Sequence, residues 1–143
     1  MKIYAGSDHA GLALKQSLIK FLQSKGFEVE DLGTYTTDSC DYPDYAHAVA
    51  KKVLAEPNSK GLLTCGSGIG ISIAANRHKG IRAALCHTSL EAELSRKHND
   101  ANILVLGGRI IGEVLAEDIA EKFYATDFEG GRHAKRIAKI EEI

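Results

Sequence analysis

The sequence is poor in several residue types, and its few cysteines and balanced charge exclude several classes of protein. The 143 residues include no tryptophan, two prolines and three cysteines. The cysteines, Cys40, Cys65 and Cys86, are odd in number and lack C-x-x-C spacing, which argues against a disulfide framework and a structural zinc site. Lysine and arginine (18) nearly balance aspartate and glutamate (19), so the net charge of −1 provides no broad positive surface for nucleic acid or anionic lipid.

Long apolar runs are missing as well. The segment from Met1 to Gly6 contains one basic residue and a short apolar stretch, which is too little for a signal peptide or a membrane span. We therefore expect no membrane partner and a cytoplasmic location. With 44% hydrophobic and 26% charged residues the composition is typical of a soluble globular protein, and the length fits one domain over residues 1–143.

Short apolar runs alternate with longer segments of helical period, which predicts a parallel β-sheet covered by helices on both faces. Strands are expected at Lys2–Ala5, Phe27–Leu32, Gly61–Cys65, Ile81–Cys86 and Asn102–Leu106. Thr88 and Glu91 form a capping-box signal for a helix that reaches about Lys97. A last helix is expected from Arg132 to Ile143.

Two loops follow predicted strands at the edge where open parallel sheets bind ligands. In the loop after the third strand, Cys65 is followed by Gly66, Ser67, Gly68 and Gly70. Backbone N–H groups of such a turn can converge on an oxyanion and favour a thiolate. The alternative interpretation is a tight strand-to-helix turn with a buried cysteine.

A dinucleotide-binding site fits this loop poorly. Ile71 stands where the third glycine of G-x-G-x-x-G belongs, and the loop follows the third strand instead of the first. A P-loop motif for nucleotides is missing from the sequence.

The loop after the first strand contains Asp8 and His9, which can orient hydroxyls and bind an anion, although capping of the first helix also explains such an aspartate. We expect no metal site, because the histidines show no i, i+4 pairing with one another and no cysteine at a ligand spacing. The six histidines are His9, His47, His78, His87, His98 and His133.

Two further groups lie on or next to the later helices. Arg132 and Arg136 lie at i and i+4, which suits a phosphate held from two sides and also suits an ordinary solvated basic face. His98 and Asn99 follow the helix that begins near Thr88. Histidine is the side chain best suited to proton transfer near neutral pH, but a His-Asn pair is equally ordinary at the end of a helix.

Six short motifs together resemble the ribose/galactose isomerase family, and within it the type B ribose-5-phosphate isomerases. They are Ser7-Asp8-His9-Ala10-Gly11, Asp41-Tyr42-Pro43, Cys65-Gly66-Ser67-Gly68, Ala74-Ala75-Asn76, His98-Asn99-Asp100 and Gly130-Gly131-Arg132-His133. The resemblance implies a Rossmann-like three-layer α/β/α sandwich and a homodimer or dimer of dimers with active sites between subunits. It also implies interconversion of ribose 5-phosphate and ribulose 5-phosphate, a step of the pentose phosphate pathway, without a metal or organic cofactor.

The same resemblance implies roles for individual residues. Cys65 is similar to the base that moves the proton, and the loop of Gly66, Ser67, Gly68 and Gly70 to the one that stabilises the enediolate. His98, assisted by Asp8, is similar to the group that opens the sugar ring. The remaining expected substrate contacts are Tyr42 and Asn99 on the sugar and His9, Arg109, Arg132 and Arg136 on the phosphate.

The sequence departs from parts of the family pattern. Some members use a glutamate base and have glycine in place of the cysteine, whereas this chain has Cys65 and no acid at Ile71 or Ser72. Many cysteine-type members have threonine at the position of Ser67. Isomerases of galactose 6-phosphate divide the motifs between two subunits, but this chain has both sets, so we expect a homo-oligomer. A six-carbon substrate such as allose 6-phosphate or galactose 6-phosphate, and a non-catalytic sugar-phosphate sensor, remain alternatives.

The predicted topology separates two parts of this set. His98 and Asn99 precede the fifth strand, whereas Cys65 and Asp8 follow their strands. The two groups should therefore lie at opposite ends of one sheet. We expect His98 and Asn99 to enter the site from a partner subunit.

Overall fold

A five-stranded parallel sheet forms the centre of the molecule, with the strand order β2-β1-β3-β5-β4. The computed structural model describes residues 1–142. The strands are β1 (Lys2–Ser7), β2 (Glu28–Asp31), β3 (Lys60–Cys65), β4 (Ala83–Leu85) and β5 (Ile103–Gly107).

Helices cover both faces of the sheet. They are α1 (Leu12–Ser24), α2 (Tyr42–Ala55), α3 (Ile69–Ala75), α4 (Ser89–Asn99), α5 (Glu113–Ala125) and α6 (Arg132–Ile140). Alternate strand residues point to opposite faces, so Ile3 belongs to the core cluster formed with α1, α4 and α5, whereas Tyr4 belongs to the one formed with α2 and α3. The expected Rossmann-like three-layer arrangement with a C-terminal helix is confirmed.

The predicted strands are present, but the two edge strands are shorter than their apolar runs. Ile81 and Cys86 flank β4 and are 4% and 2% exposed, yet neither belongs to the strand. The Ile81 N–H donates within its own turn, to the His78 carbonyl at 3.0 Å, whereas the Cys86 N–H still donates to the Val105 carbonyl of β5 at 3.1 Å. Apolar pattern therefore overestimates strand length at the edges.

The predicted helix ends agree in kind and differ in position. Thr88 and Glu91 form the expected reciprocal capping box at the start of α4, which continues to Asn99 instead of ending near Lys97. The C-terminal helix ends at Ile140, and Ile143 lies outside the described residues. Within residues 1–142, no helix has both the length and the apolar character needed to cross a membrane.

Candidate active site

A cleft of about 650 Å³ lies at the carboxyl ends of β1, β3 and β5. These three strands are neighbours at the centre of the sheet, so the loops that follow them converge. The lining residues are Asp8, His9, Ala10, Tyr42, Cys65, Gly66, Ser67, Ile69, Gly70, Arg109 and Ile110. Most of the residues predicted to bind or react with a substrate therefore share one cavity.

Cys65 ends β3 at the floor of this cleft and is 4% exposed. Its Sγ accepts a hydrogen bond from the backbone N–H of Gly68 at 3.1 Å. Gly68 adopts a φ of 81°, and a Cβ there would fall 2.5 Å from Leu85 Cδ1, so a side chain is excluded. The turn thus fixes the sulfur and points one backbone donor at it.

Ser67 lies beside Cys65 on the same loop. Its Oγ accepts a hydrogen bond from the N–H of Ile69 at 3.1 Å. Because the oxygen acts as the acceptor in that bond, its own proton is left to donate to a ligand. The serine can therefore stabilise negative charge on a bound oxygen.

Asp8 is 7% exposed, and its Oδ1 accepts a hydrogen bond from the N–H of Gly11 at 2.9 Å. The N-cap of α1 is Gly11 and has no side-chain cap, so Asp8 closes the turn before the helix instead of capping it. The Oγ of Thr64 donates to the carbonyl of Gly11 at 2.8 Å, which joins this turn to β3 next to Cys65. These two hydrogen bonds fix the loops that carry Asp8 and Cys65 relative to each other.

His9 faces the same cleft, and its ring is oriented by Cys40. The backbone N–H of Cys40 donates to His9 Nδ1 at 3.2 Å. Since Nδ1 accepts this bond, the ring proton of the neutral imidazole lies on Nε2. The sequence gives no sign of this role for Cys40, because no local motif connects it with His9.

Arg109 follows β5 and is tied to the Cys65 loop through the backbone. Its N–H donates to the carbonyl of Gly66 at 2.9 Å, and the N–H of Gly108 donates to that of Cys65 at 2.8 Å. The guanidinium brings a fixed positive charge into the cleft beside the thiol loop.

Four predicted site residues lie elsewhere, and Gly68 supports the floor of the cleft without lining it. His98 and Asn99 end α4, just before the amino end of β5. At that end of the sheet Gly61 pairs with Ile103, and at the other end Cys65 pairs with Gly107. About 13 Å of strand therefore separates the amino end of β5 from the cleft. Arg132 and Arg136 lie on α6, which packs on α4. The expected separation within one chain is confirmed.

Around His98 the structure gathers a second cluster of polar groups. The ring of His98 stacks on that of His133 with centroids 4.5 Å apart and planes 18° from parallel. Glu129 Oε1 lies 3.3 Å from His133 Nε2. Sequence spacing gave no sign of this cluster, because it depends on the packing of α6 against α4.

Cys86, the remaining buried cysteine, lies in the core under α4. Burial, with a smaller contribution from the Glu91 charge, raises the pKa of its thiol to about 12. It therefore stays protonated near neutral pH and is a core residue, as its apolar context indicates.

Comparison with known proteins identifies the family. A protein-family model described as Ribose/Galactose Isomerase matches residues 3–140. The chain is 44% identical over 142 residues to the ribose-5-phosphate isomerase B of Escherichia coli, covering 99% of this chain and 95% of the relative.

Solved structures agree. A ribose 5-phosphate isomerase from Thermotoga maritima superposes with a TM-score of 0.97 at 54% identity, covering 99% of this chain and 98% of that one. Ribose-5-phosphate isomerase B from Mycoplasma genitalium, solved with bound ribulose-5-phosphate, gives a TM-score of 0.92 at 42% identity, covering 97% and 93%.

Proposed function

Because the chain belongs to the ribose/galactose isomerase family, we propose that it interconverts D-ribose 5-phosphate and D-ribulose 5-phosphate. The observation that carries the proposal is the placement of the Cys65 sulfur at the floor of the cleft, with the Gly68 N–H 3.1 Å away. A nucleophilic or basic thiol needs such a donor, because the thiolate is the reactive form. The Mycoplasma genitalium relative with bound ribulose-5-phosphate supports the choice of substrate.

The chemical step moves one proton between neighbouring carbons. The Cys65 thiolate takes the proton from C2 of the open-chain aldose, which leaves an enediolate with its charge on O1. Cys65 then returns the proton to C1, while the O2 hydroxyl proton passes to O1 and C2 becomes the ketone carbon. Atoms and electrons balance without an external oxidant or reductant.

Stabilisation of the enediolate falls to the loop after β3. The Ser67 hydroxyl has a proton to donate, and the neighbouring backbone at Gly66 and Gly70 also lines the cleft. One donor aimed at a developing oxyanion contributes about 10²- to 10³-fold in rate. No step of this scheme calls for a metal or an organic cofactor.

The phosphate is bound by hydrogen-bond donors and by positive charges at the rim. His9 presents Nε2, and Arg109 presents its guanidinium, from the cleft itself. Arg132 and Arg136 lie on α6, outside the cleft of their own chain. In the proposed enzyme they come from a second copy of the chain, which makes the working unit a homodimer or a dimer of dimers.

Ring opening is proposed for His98, with Asp8 as its partner across the subunit boundary and Asn99 on the sugar hydroxyls. A positioned acid or base contributes about 10²- to 10⁴-fold to such a proton transfer. His98 lies at the opposite end of its own sheet from Asp8, so this pairing requires the second subunit.

Mixing two inactive proteins tests the shared site. Cys65→Ala and His98→Ala homo-oligomers should each lack turnover, and exchange of subunits between them should restore part of it by forming sites with both groups intact. Native mass spectrometry verifies the exchange. Full exchange with no recovered activity would contradict the intersubunit assignment.

Solvent exchange tests the proton step. In D2O, exchange of the proton held on Cys65 with solvent before it is returned should place deuterium at C1 of ribulose 5-phosphate, detected by NMR, and Cys65→Ala should abolish both product and label. Alkylation of Cys65 should stop turnover and be slowed by substrate. A sugar-phosphate sensor would bind ribose 5-phosphate without exchange and would retain binding after a small thiol modification.

A six-carbon sugar phosphate is the second candidate substrate, because the family description names galactose as well as ribose. The same groups would act on allose 6-phosphate or galactose 6-phosphate, since the reacting carbons and the phosphate differ only in their spacing. Comparison of kcat/KM for the pentose and the hexose phosphates decides between them.

A further inference from the structure

Three side chains with metal-binding chemistry meet where α4 and α6 pack together. His98 lies in the last turn of α4, His133 in the first turn of α6, and Glu129 in the segment between α5 and α6. One ligand atom from each can be chosen so that all lie within 4.8 Å of one another.

The backbone holds this group in place. The N–H of Glu129 donates to the carbonyl of Lys97 at 3.1 Å, which attaches the segment to the end of α4 directly beside His98. The chain then turns through Gly130, with a φ of 72°, and the N–H of His133 donates to the carbonyl of Gly130 at 3.2 Å. Glu129 and His133 therefore face each other at i and i+4.

The buried nitrogen of His133 has an unmet requirement. His133 is 5% exposed, and its Nε2 makes no hydrogen bond to any of residues 1–142. Glu129 Oε1 lies 3.3 Å away, close enough for an ion pair but not in line for a hydrogen bond. A buried polar atom without a protein partner is uncommon, and a bound water or ion often satisfies it.

We propose that His98, Glu129 and His133 bind a divalent ion of the zinc type. Two imidazoles and one carboxylate are the ligand set of open zinc sites, whereas magnesium and calcium prefer oxygen ligands. Tetrahedral zinc holds each ligand atom at about 2.0–2.2 Å, which places the ligand atoms about 3.4 Å from one another. The three atoms, now within 4.8 Å of one another, must therefore approach by up to roughly 1.5 Å.

His98 makes that movement. Nitrogen lone pairs lie in the plane of an imidazole, so two stacked rings cannot direct them at one ion. His98 is only partly buried and lies at the end of its helix, whereas His133 is held in the interior. Binding therefore turns His98 out of the stack. Lys97, Arg132 and Arg136 are neighbours of the ligand residues in the sequence. Because their positive charges repel a cation, we expect a dissociation constant in the micromolar range.

Metal binding has a consequence for turnover, and this consequence, unlike the binding itself, rests on the proposed function. An ion on the His98 nitrogen removes the group assigned to ring opening. Zinc is thus expected to inhibit the isomerase reversibly, with recovery on addition of EDTA.

Titration of the full-length protein with zinc chloride by calorimetry, and with cobalt chloride by visible absorption, tests the site. Cys65→Ala serves as the background, because its thiol is an alternative ligand. Glu129→Gln and His98→Asn should each weaken binding by about tenfold or more, since even outer-shell partners contribute on that order. Both positions are accessible to solvent, so these variants keep their fold, which thermal unfolding verifies.

Two controls address competing sites. His47 Nδ1 and His78 Nε2 lie 2.6 Å apart and form a separate two-histidine pair, and His87 lies 3.9 Å from Glu91 at i, i+4. His47→Asn and His87→Asn should each leave the affinity within about twofold, as surface changes remote from a site do. Loss of binding in His47→Asn with retention in Glu129→Gln and His98→Asn would overturn the proposal.

Turnover assays distinguish the metal site itself from its proposed effect on the isomerase reaction. The inhibition constant for zinc should rise about tenfold or more in Glu129→Gln, in parallel with its dissociation constant. Zinc that binds at this site without inhibiting would contradict the assigned role of His98 and leave the metal site established. A protein that isomerises nothing would remove the proposed function, and the binding titration would still decide the site.

Discussion

The phenol ring of Tyr42 lies directly against the bare Cα of Gly70. A Cβ on Gly70 would fall 2.6 Å from Tyr42 Cζ and 2.9 Å from its hydroxyl oxygen. Tyr42 begins α2 and Gly70 lies in the first turn of α3, so this contact sets where the hydroxyl points at the rim of the cleft. Position 70 is therefore glycine because a Cβ there would overlap the Tyr42 ring.

Gly70→Ala should therefore lower activity with little effect on stability. The added methyl displaces the Tyr42 ring, which is partly exposed and free to move, so the free energy of unfolding should change by less than about 1 kcal/mol. The loss of an aligned sugar contact should reduce kcat/KM for ribose 5-phosphate by about tenfold or more. Steady-state kinetics and urea unfolding measure both.

Tyr42→Ala provides the control. If the effect of Gly70→Ala passes through the ring, adding it to Tyr42→Ala should cause little further loss, because the two changes share one contact. Equal losses in both backgrounds would contradict this account.

Gly11→Ala should act on stability. A Cβ on Gly11 would fall 2.4 Å from the backbone of Thr64, which cannot move without disturbing β3. Overpacking of this kind should lower the free energy of unfolding by about 3 kcal/mol. Gly112→Ala is the matched control, since a Cβ there has no atom within 4 Å, and it should cost less than about 1 kcal/mol. Similar unfolding midpoints for the two variants would contradict the close approach.

Cys86 should make the protein lose stability in alkali. The unfolded thiol ionises near its ordinary pKa of 9.0, whereas burial raises the native pKa to about 12. Between these values the unfolded chain binds fewer protons than the native one, so the free energy of unfolding falls as pH rises. At about pH 10.5 the loss due to this thiol should be on the order of 2 kcal/mol.

Urea unfolding of wild type and Cys86→Ala at about pH 8 and about pH 10.5 isolates this effect. Burial also raises the pKa of Tyr124, whose hydroxyl donates to the carbonyl of Gly61, so both proteins should lose some stability in alkali. The wild type should lose more than Cys86→Ala. Equal losses would show that the Cys86 thiol does not contribute.

The hydroxyl of Ser67 should contribute to the rate of the chemical step. Ser67→Ala removes the donor offered to the enediolate oxygen and should lower kcat by about tenfold or more. Ser67→Thr keeps the hydroxyl and should retain activity within about threefold, because the oxygen can still accept from the Ile69 N–H. Equal kcat values for all three proteins would exclude the serine from the chemical step.

The sequence predicted those features that depend on local pattern. Apolar period located the strands, and the residue types after β1 and β3 placed Asp8 and Cys65 at one edge of the sheet, where the carboxyl ends of parallel strands bind ligands. The lengths of the edge strands β2 and β4 did not follow, since apolar residues such as Phe27 and Ile81 belong to the core while their N–H groups bond to the preceding turn. The Cys40 contact to His9 and the stack of His98 on His133 depend on long-range packing, and no spacing along the chain encodes them.

Conversion of ribose 5-phosphate to ribulose 5-phosphate by purified wild type and Cys65→Ala, with EDTA present and allose 6-phosphate assayed in parallel, tests the central claim most directly. The account predicts turnover of the pentose by the wild type and none by the variant, with the fold of both verified by their unfolding curves. Turnover of the hexose alone would contradict the substrate and keep the chemistry. An active Cys65→Ala protein would contradict the assignment of the base.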